Sequence, residues 1–226
     1  MKFFGTARPT QFVRQRSRPK SRIMLAGSIM AWLAIVGSGL FFLLKYENTP
    51  GAAANSPTAW PSASSMSLAA NGYTLVMLVH PHCPCSRASI GELALLMADA
   101  RGPVSASVFF LKPDGFSDDW EKTDLWQSAA SIPGVKAIVD NGGEEVKRFN
   151  AATSGQTLLY DASGELVFSG GITASRGHSG DNAGRSAIEA IVNGETVDNV
   201  GTPVFGCPLF NQNSDCRVSK NERSKR

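Results

Sequence analysis

From Tyr73 onward, short apolar runs alternate with segments of helical periodicity, and this alternation restricts the fold of the 226-residue chain most strongly. The runs YTLVMLVH, VSASVFFL and VKAIVD are rich in β-branched and aromatic residues, which is typical of buried strands. Helical patterns follow the first two runs, in SRASIGELALLMADARG and in SDDWEKTDLWQSAASI, which begins at Ser117, and DNAGRSAIEAIVNGE supplies a later helix. Strands that alternate with helices predict a parallel sheet.

The segment QTLLYDASGELVFSGG has a different pattern, because two strand-like runs flank DASGE, in which Gly164 suits a tight turn. Such a hairpin adds an antiparallel edge to the parallel strands. The polar segment NGGEEVKRFNAATSG before it is assigned neither a helix nor a strand. We therefore predict a mixed sheet of four or five strands in residues 71–195, with helices on both faces.

Ahead of this region lies an uncharged apolar run, Ile23–Leu44, which is long enough to cross a bilayer as one helix. Residues 1–22 contain seven Lys or Arg and no acidic residue. This flank predicts a single-pass protein of the inner (cell) membrane, with a cytoplasmic N-terminus and everything after Lys45 on the periplasmic side. A cleaved signal peptide is the alternative, since GAAANS offers small residues, but the apolar segments of such peptides are usually shorter.

Composition divides the chain into five parts. They are a basic N-terminus (1–22), the transmembrane helix (23–44), a flexible tether rich in Ala, Ser, Pro and Gly (45–70), the folded domain (71–208) and a basic tail predicted to be disordered (209–226). Residues 23–216 hold ten basic and eighteen acidic residues, hence a net charge of −8. The exported part is therefore acidic, which argues against nucleic acid as a partner.

The motif HPHCPCS, residues 80–86, holds two of the three His and two of the four Cys, where the first predicted strand meets the first predicted helix. The carboxyl ends of strands in open α/β sheets are the usual place for chemistry. A helix N-terminus stabilises a thiolate, so we predict that Cys83 is reactive and that Pro84 takes the first helical position. His80 and His82 can supply positive charge or accept a proton. Two buried Cys and two ordinary loop His are the simpler interpretation.

A Cys pair between a central strand and a helix, followed by the β-α-β-β-α pattern, resembles the thioredoxin superfamily. The segment SGQTLLYDASGELVFSGG is similar to that family's hairpin after its cis-proline. The anchor and tether resemble membrane-tethered periplasmic thioredoxin-like proteins, and HPHCPCS, GITASRGHSGDNAGR and VFGCPL resemble the RedB group among them. The resemblance covers about residues 71–208. It implies a thioredoxin-like α/β sandwich that exchanges disulfides with protein clients and requires no cofactor.

Two positions depart from the pattern of that family. The family motif is Cys-x-x-Cys, whereas one residue separates Cys83 from Cys85, and Ser86 stands where the second Cys would be. Gly155 stands at the position of the cis-proline, which shapes the family's substrate-docking edge and limits the binding of stray metals. We group Ser86 and Gly155 with the two His of the motif as supporting residues.

The preferred hypothesis is a thiol–disulfide oxidoreductase with a Cys-Pro-Cys motif. Cys83 attacks a client disulfide, and Cys85 or Cys207 resolves the mixed disulfide that results. A disulfide within the motif would close a small, strained ring and be easily reduced. Alternatively, Cys207 pairs with Cys216 as a surface clip, and this simpler pairing is the one that we expect, although sequence alone does not fix connectivity.

The alternative hypothesis is a copper- or zinc-binding relay module, because thiolate and imidazole ligands suit both metals. The hairpin returns the chain to the end of the sheet where the first helix begins, so His178 can face the motif. The ligand set would be Cys83, Cys85, His80, His82 and His178. His178 is equally interpreted as a surface residue near the start of the last helix.

Two further functions are weighed on the same residues. A peroxidase would need an Arg near the thiolate and a Thr or Ser before it, and the sequence supplies Arg87 but no such preceding residue. A redox-inert interaction domain is the other. Arg176 and Asp181 are interpreted as loop residues that form an ion pair or a helix cap.

The basic flank and the apolar run make a prediction about topology. A reporter fused after Arg226 should be active only if it functions outside the cytoplasm, because the positive flank keeps the N-terminus inside. Parallel fusions of a cytoplasmic and an exported reporter measure this directly. Activity of the cytoplasmic reporter would contradict the predicted compartment.

Overall fold

The structure is a computed structural model that describes residues 19–197 and 200–210. The apolar N-terminal helix and the domain that follows Leu44 are separate compact units. The helix, α1, runs over Pro19–Glu47. Its segment Ser21–Glu47 is exposed along its length and contains an 18-residue window with a mean hydropathy of 2.0. A bilayer-spanning helix and an N-terminal signal sequence share these features.

Five strands form one mixed sheet in the domain. They are β1 (Tyr73–Val79), β2 (Val104–Lys112), β3 (Val135–Asn141), β4 (Gln156–Tyr160) and β5 (Leu166–Gly170). Their order across the sheet is β3-β2-β1-β4-β5. Strands β1, β2 and β3 are parallel, whereas β4 is antiparallel to β1 and β5 is antiparallel to β4. The predicted hairpin and the mixed sheet are confirmed.

Four helices accompany the sheet. They are α2 (Ser86–Asp99), α3 (Asp124–Ala130), α4 (Glu144–Arg148) and α5 (Ala183–Val192). Together with the strand order, they give the thioredoxin-like α/β sandwich that the resemblance implied. Strand β1 lies at the centre of this sandwich, and the motif HPHCPCS leads directly from it into α2.

The side chains of β1 alternate between two apolar cores, one on each face of the sheet. Leu75 and Met77 pack in the first core with residues of α2, α3 and α5. Val76 and Leu78 pack in the second core, which includes Val146 of α4. Helices therefore cover both faces, as predicted, although the second core is completed by a segment that precedes β1 rather than by a long helix.

That preceding segment corrects the prediction of a flexible tether over 45–70. The ring of Trp60 packs edge-on against Phe149 and Tyr160, with centroids 5.3 and 5.1 Å apart. The hydroxyl of Tyr160 donates to the carbonyl of Pro57 at 2.9 Å, and Ser64 donates to the carboxylate of Glu145 at 2.8 Å. The prediction was wrong because a few side chains dock the segment on the domain despite its tether-like composition.

Two helix assignments also differ from the sequence prediction. Helix α3 begins at Asp124 rather than Ser117, because the preceding turns place Trp120 against His82. Helix α4 forms inside the polar segment that was assigned no element. The buried carboxylate of Asp140 accepts the N–H groups of Glu145 and Val146 at 2.8 and 2.9 Å, which stabilises the start of this short helix.

The docking of residues 45–70 predicts a loss of stability when its aromatic contact is removed. Trp60→Ala should lower the free energy of unfolding by about 2 kcal/mol, because apolar contact with the second core is lost. Urea unfolding of the full chain in detergent measures this, and Trp32→Ala in α1 is the matched control. Equal stability of the Trp60 variant and the control would contradict the docking.

Candidate thiol site

The motif HPHCPCS forms tight turns between β1 and α2. The N–H of Cys83 donates to the carbonyl of His80 at 3.0 Å, and the N–H of Ser86 donates to the carbonyl of Cys83 at 3.1 Å. Helix α2 begins only at Ser86. The sequence predicted Pro84 at the first helical position, but Pro84 lies in the turn two residues before the helix, because these short bonds already wind the chain there.

Ser154 joins the three chain segments that form the site. Its side chain is fully buried, and its hydroxyl accepts the N–H of His80 at 2.7 Å and lies 2.7 Å from the hydroxyl of Ser86. Its backbone N–H donates to the carbonyl of Cys207 at 2.8 Å. Sequence reasoning missed Ser154, because a Ser in the polar stretch AATSG has no local feature that separates it from an ordinary turn residue.

Gly155, the residue at the family's cis-proline position, has a backbone conformation that favours glycine. Its φ is +92°, and an added Cβ would lie 2.9 Å from the Ser89 hydroxyl. Its N–H donates to the carbonyl of Leu78 at 2.8 Å, which fixes the start of β4 beside the end of β1. All peptide bonds within the described residues are trans.

Cys207 lies directly against Cys83. Its N–H points to the Cys83 sulfur, with the nitrogen 3.4 Å from Sγ, and both residues are free thiols. Cys83 is only 1% exposed, whereas Cys207 is partly exposed. Cys207 is therefore in direct contact with Cys83. Its expected partner in the surface clip, Cys216, lies outside the described residues, so that pairing stays a prediction.

The surroundings of Cys83 and Cys207 change the pKa values of the two thiols in opposite directions. Burial opposes ionisation of Cys83, but hydrogen bonds from Ser86 and Cys207 outweigh it and hold the pKa of Cys83 below its ordinary value. Burial and the interaction with Cys83 raise the pKa of Cys207 to about 12. Cys83 therefore ionises more readily than Cys207, which keeps its proton at neutral pH.

Cys85 lies between Cys83 and Arg176. Burial and repulsion from Cys83 raise the pKa of Cys85, and the neighbouring Arg176 guanidinium partly opposes that increase. The same guanidinium donates to the carbonyls of Gly206 at 2.5 Å and Thr49 at 3.2 Å. Arg176 pins its loop, as expected, but through backbone carbonyls rather than through an acid.

The rings of the two His of the motif pack against Trp120, that of His80 edge-on and that of His82 tilted. Ring centroids lie 5.5 Å apart for His80 and Trp120, and 4.7 Å apart for His82 and Trp120. The backbone N–H of His82 donates to Nδ1 of His80 at 3.2 Å. Burial, followed by repulsion from His82, lowers the pKa of His80, which is therefore neutral at neutral pH. His80 therefore contributes a packed neutral ring, and no positive charge, to the site.

The remaining candidate residues lie on the surface. His178 is exposed in a turn that its N–H closes onto Ser175, and Asp181 is exposed beside Arg185, while the cap of α5 is Asn182. Within residues 19–197 and 200–210, no group of three or more His, Cys, Asp or Glu is arranged to hold a metal ion. The proposed five-residue ligand set is therefore not assembled in the structure.

Arg87 takes part in an exposed ion pair. It pairs with Asp124 of α3, and both side chains are more than half exposed. A peroxidase would need a guanidinium close to the thiolate. The guanidinium that lies near the thiols is that of Arg176, which contacts Cys85 rather than the thiolate of Cys83.

The sequence matches no family model and no curated protein. An uncharacterized conserved protein from Geobacillus kaustophilus aligns with the structure at a TM-score of 0.54 and 19% identity, over 74% of this chain and 94% of the other. The hypothetical protein SMc02350 from Sinorhizobium meliloti aligns at 0.52 and 19% identity, over 71% and 93%. These two similarities show a shared fold.

A less similar structure is a secreted disulfide oxidoreductase of Mycobacterium tuberculosis, described as homologous to E. coli DsbE. It aligns at a TM-score of 0.39 and 13% identity, over 54% of this chain and 81% of the other. This similarity is too low to transfer a function.

The hydrogen bond from Ser86 predicts a shift in the reactivity of Cys83. Ser86→Ala should raise the pKa of Cys83 towards its ordinary value, because one bond that stabilises the thiolate is lost. A shift of one unit reduces the thiolate fraction about tenfold at pH values below the pKa. The ultraviolet thiolate absorbance against pH measures this, with the exposed Ser128→Ala of α3 as control. An unchanged profile would contradict the assignment.

Proposed function

We propose that this chain is a membrane-anchored thiol–disulfide oxidoreductase that acts outside the cytoplasm on protein clients. The observation that carries the proposal is the contact between a low-pKa sulfur, Cys83, and a protonated thiol, Cys207, at the carboxyl end of the central strand. A thiolate beside a second thiol is the minimum that disulfide exchange requires. The thioredoxin-like fold is consistent with this chemistry.

The reaction follows from the distribution of charge. The Cys83 thiolate attacks one sulfur of a client disulfide, the client S–S bond breaks, and the released client sulfur takes up a proton. Cys207 then loses its proton and attacks Cys83 Sγ, so that the second client sulfur leaves as a thiol. Two electrons pass to the client, and a disulfide between Cys83 and Cys207 remains. The reverse sequence oxidises a client dithiol.

Cys207 is the better resolving thiol for two reasons. Its backbone N–H already lies against Cys83 Sγ, whereas a disulfide between Cys83 and Cys85 would close a very small ring in which the preferred dihedral is hard to reach. A disulfide at Cys83 also makes Cys85 easier to ionise. The negative charge of Cys83 is then gone, so one cause of the raised pKa of Cys85 disappears while Arg176 remains beside it.

The N-terminal region supports a location of the domain outside the cytoplasm. The apolar run Ile23–Leu44 lies within α1, and the basic residues 1–22 precede it. This arrangement supports a single-pass anchor in the inner membrane with the domain on the periplasmic side. Disulfides form and persist in such a compartment, where a redox-active cysteine pair can turn over.

The test is disulfide exchange by the full chain in detergent. Cys83→Ser should reduce the exchange rate to background, because the attacking thiolate is removed, and Cys207→Ser should accumulate a mixed disulfide through Cys83. Non-reducing gels and peptide mass spectrometry measure both results. Oxidation of the native chain should join Cys83 to Cys207.

Cys216→Ser is the matched control for the cysteine variants. It should keep the exchange rate, because Cys216 has no part in the proposed reaction. Retained activity in Cys83→Ser would refute the proposed attacking residue. A disulfide between Cys207 and Cys216 in the active native chain would instead support the surface clip and leave Cys85 as the resolving thiol.

A further inference from the structure

The chain segment that carries Cys207 lies beside residues 152–154 and pairs with them through a single antiparallel bridge. The N–H of Ser154 donates to the carbonyl of Cys207 at 2.8 Å, and the N–H of Leu209 donates to the carbonyl of Ala152 at 2.9 Å. Thr153 and Pro208 pair between these bonds in the antiparallel sense. All of these contacts join backbone atoms. Any extended peptide can therefore make them, whichever chain it belongs to.

The side-chain positions of the segment, unlike its backbone contacts, restrict which residue types fit. An added Cβ on Gly206 would lie 1.9 Å from the carbonyl oxygen of Ser154, so no other residue fits at this position without moving the strand. Leu209 is 4% exposed and packs into the second core. Pro208 is exposed, and its missing N–H is not needed, because the ladder uses the N–H of Leu209 instead.

The segment also covers the reactive sulfur. With Cys207 in place, Cys83 is almost completely buried, and the N–H of Cys207 points at its sulfur. A client cysteine must reach the same sulfur. The structure therefore holds an extended, cysteine-containing peptide, supplied by the chain itself, in the position that a client peptide would have to take.

We propose that residues 204–209 are an internal stand-in for the client, and that the client is an extended segment with Gly before its Cys and a large apolar residue two positions after it. This inference rests on the proposed function and adds the class of substrate. Gly206 defines the first requirement and Leu209 the second. Any residue, Pro included, is accepted between the Cys and the apolar position.

The stand-in is held by a small number of contacts that a client can replace. Arg176 donates to the carbonyl of Gly206, and the N–H of Gly51 donates to the carbonyl of Val204 at 2.8 Å. Because the segment belongs to the same chain, its local concentration is high, and it competes with any free peptide. Loosening its apolar anchor at Leu209 should therefore make the site more accessible to peptides.

The test uses synthetic peptides in which the Cys is joined to thiopyridine by a disulfide. The Cys83 thiolate attacks the peptide sulfur, the new bond joins Cys83 to the peptide, and thiopyridine leaves with the electron pair. Its absorbance gives the rate. The protein is the reduced full chain in detergent with Cys85→Ser and Cys207→Ser, compared with the same chain carrying Leu209→Ala in addition.

Three peptides test the two requirements: VFGCPLF, VFACPLF and VFGCPAF. We expect each Ala peptide to react about tenfold more slowly than VFGCPLF. The added methyl group of VFACPLF clashes at the Gly position, and VFGCPAF loses the buried Leu side chain. Leu209→Ala should accelerate the reaction of VFGCPLF. Gly206→Ala should do the same, since it displaces the stand-in by a local clash, and circular dichroism verifies that both variants are folded.

The outcomes separate this inference from the proposed function. Cysteamine joined to thiopyridine by a disulfide serves as a small reagent with no peptide sequence. If it fails to react with Cys83, judged against a chain that also carries Cys83→Ser, the proposed function fails. If it reacts but the three peptides react at equal rates, or the two variants leave the rate for VFGCPLF unchanged, the stand-in is refuted and disulfide exchange is retained.

Discussion

The hydrogen bonds of one buried residue, Ser154, hold the thiol site together. Its hydroxyl accepts the N–H of His80, the residue after β1, and contacts the hydroxyl of Ser86, the first residue of α2. Its backbone N–H donates to the carbonyl of Cys207. A buried donor left without a partner costs about 1–3 kcal/mol, so these bonds fix three chain segments relative to one another. The distance between the two sulfur-bearing residues depends on this arrangement, and Gly155, next in sequence, joins β4 to the same end of β1.

The site favours ionisation of Cys83 over ionisation of its two sulfur neighbours, Cys85 and Cys207. Burying a charge is costly unless hydrogen bonds compensate, and the bonds from Ser86 and Cys207 supply that compensation to Cys83. Interaction with Cys83 in turn raises the pKa values of Cys85 and Cys207. When Cys83 enters a disulfide, that repulsion ends. In the proposed exchange, the next sulfur then ionises more easily, so each step prepares the thiol that the following step requires.

Local patterns predicted the succession of strands along the chain, the hairpin and the strand-to-helix junction at Cys83, because periodicity and such a junction are properties of neighbouring residues. The contacts that complete the site are not local. Ser154 and Cys207 lie far from the motif along the chain, and nothing in AATSG or VFGCPLF shows that they meet it. Likewise, the docking of Trp60 depends on the distant rings of Phe149 and Tyr160, which composition does not reveal. The five-residue metal set is the opposite case, since within residues 19–197 and 200–210 its members form no group arranged to hold an ion.

The docked segment before β1 has a consequence for association between molecules. Strand β5 is an edge of the sheet, and an unpaired edge is a template for another chain. Here the N–H of Leu166 donates to the carbonyl of Thr58 at 2.8 Å, and the N–H of Ser169 donates to that of Val200 at 3.0 Å. The chain therefore occupies this edge with its own backbone. Where an anchor confines many copies to one plane, that cover reduces strand-to-strand aggregation without any change to the thiol chemistry.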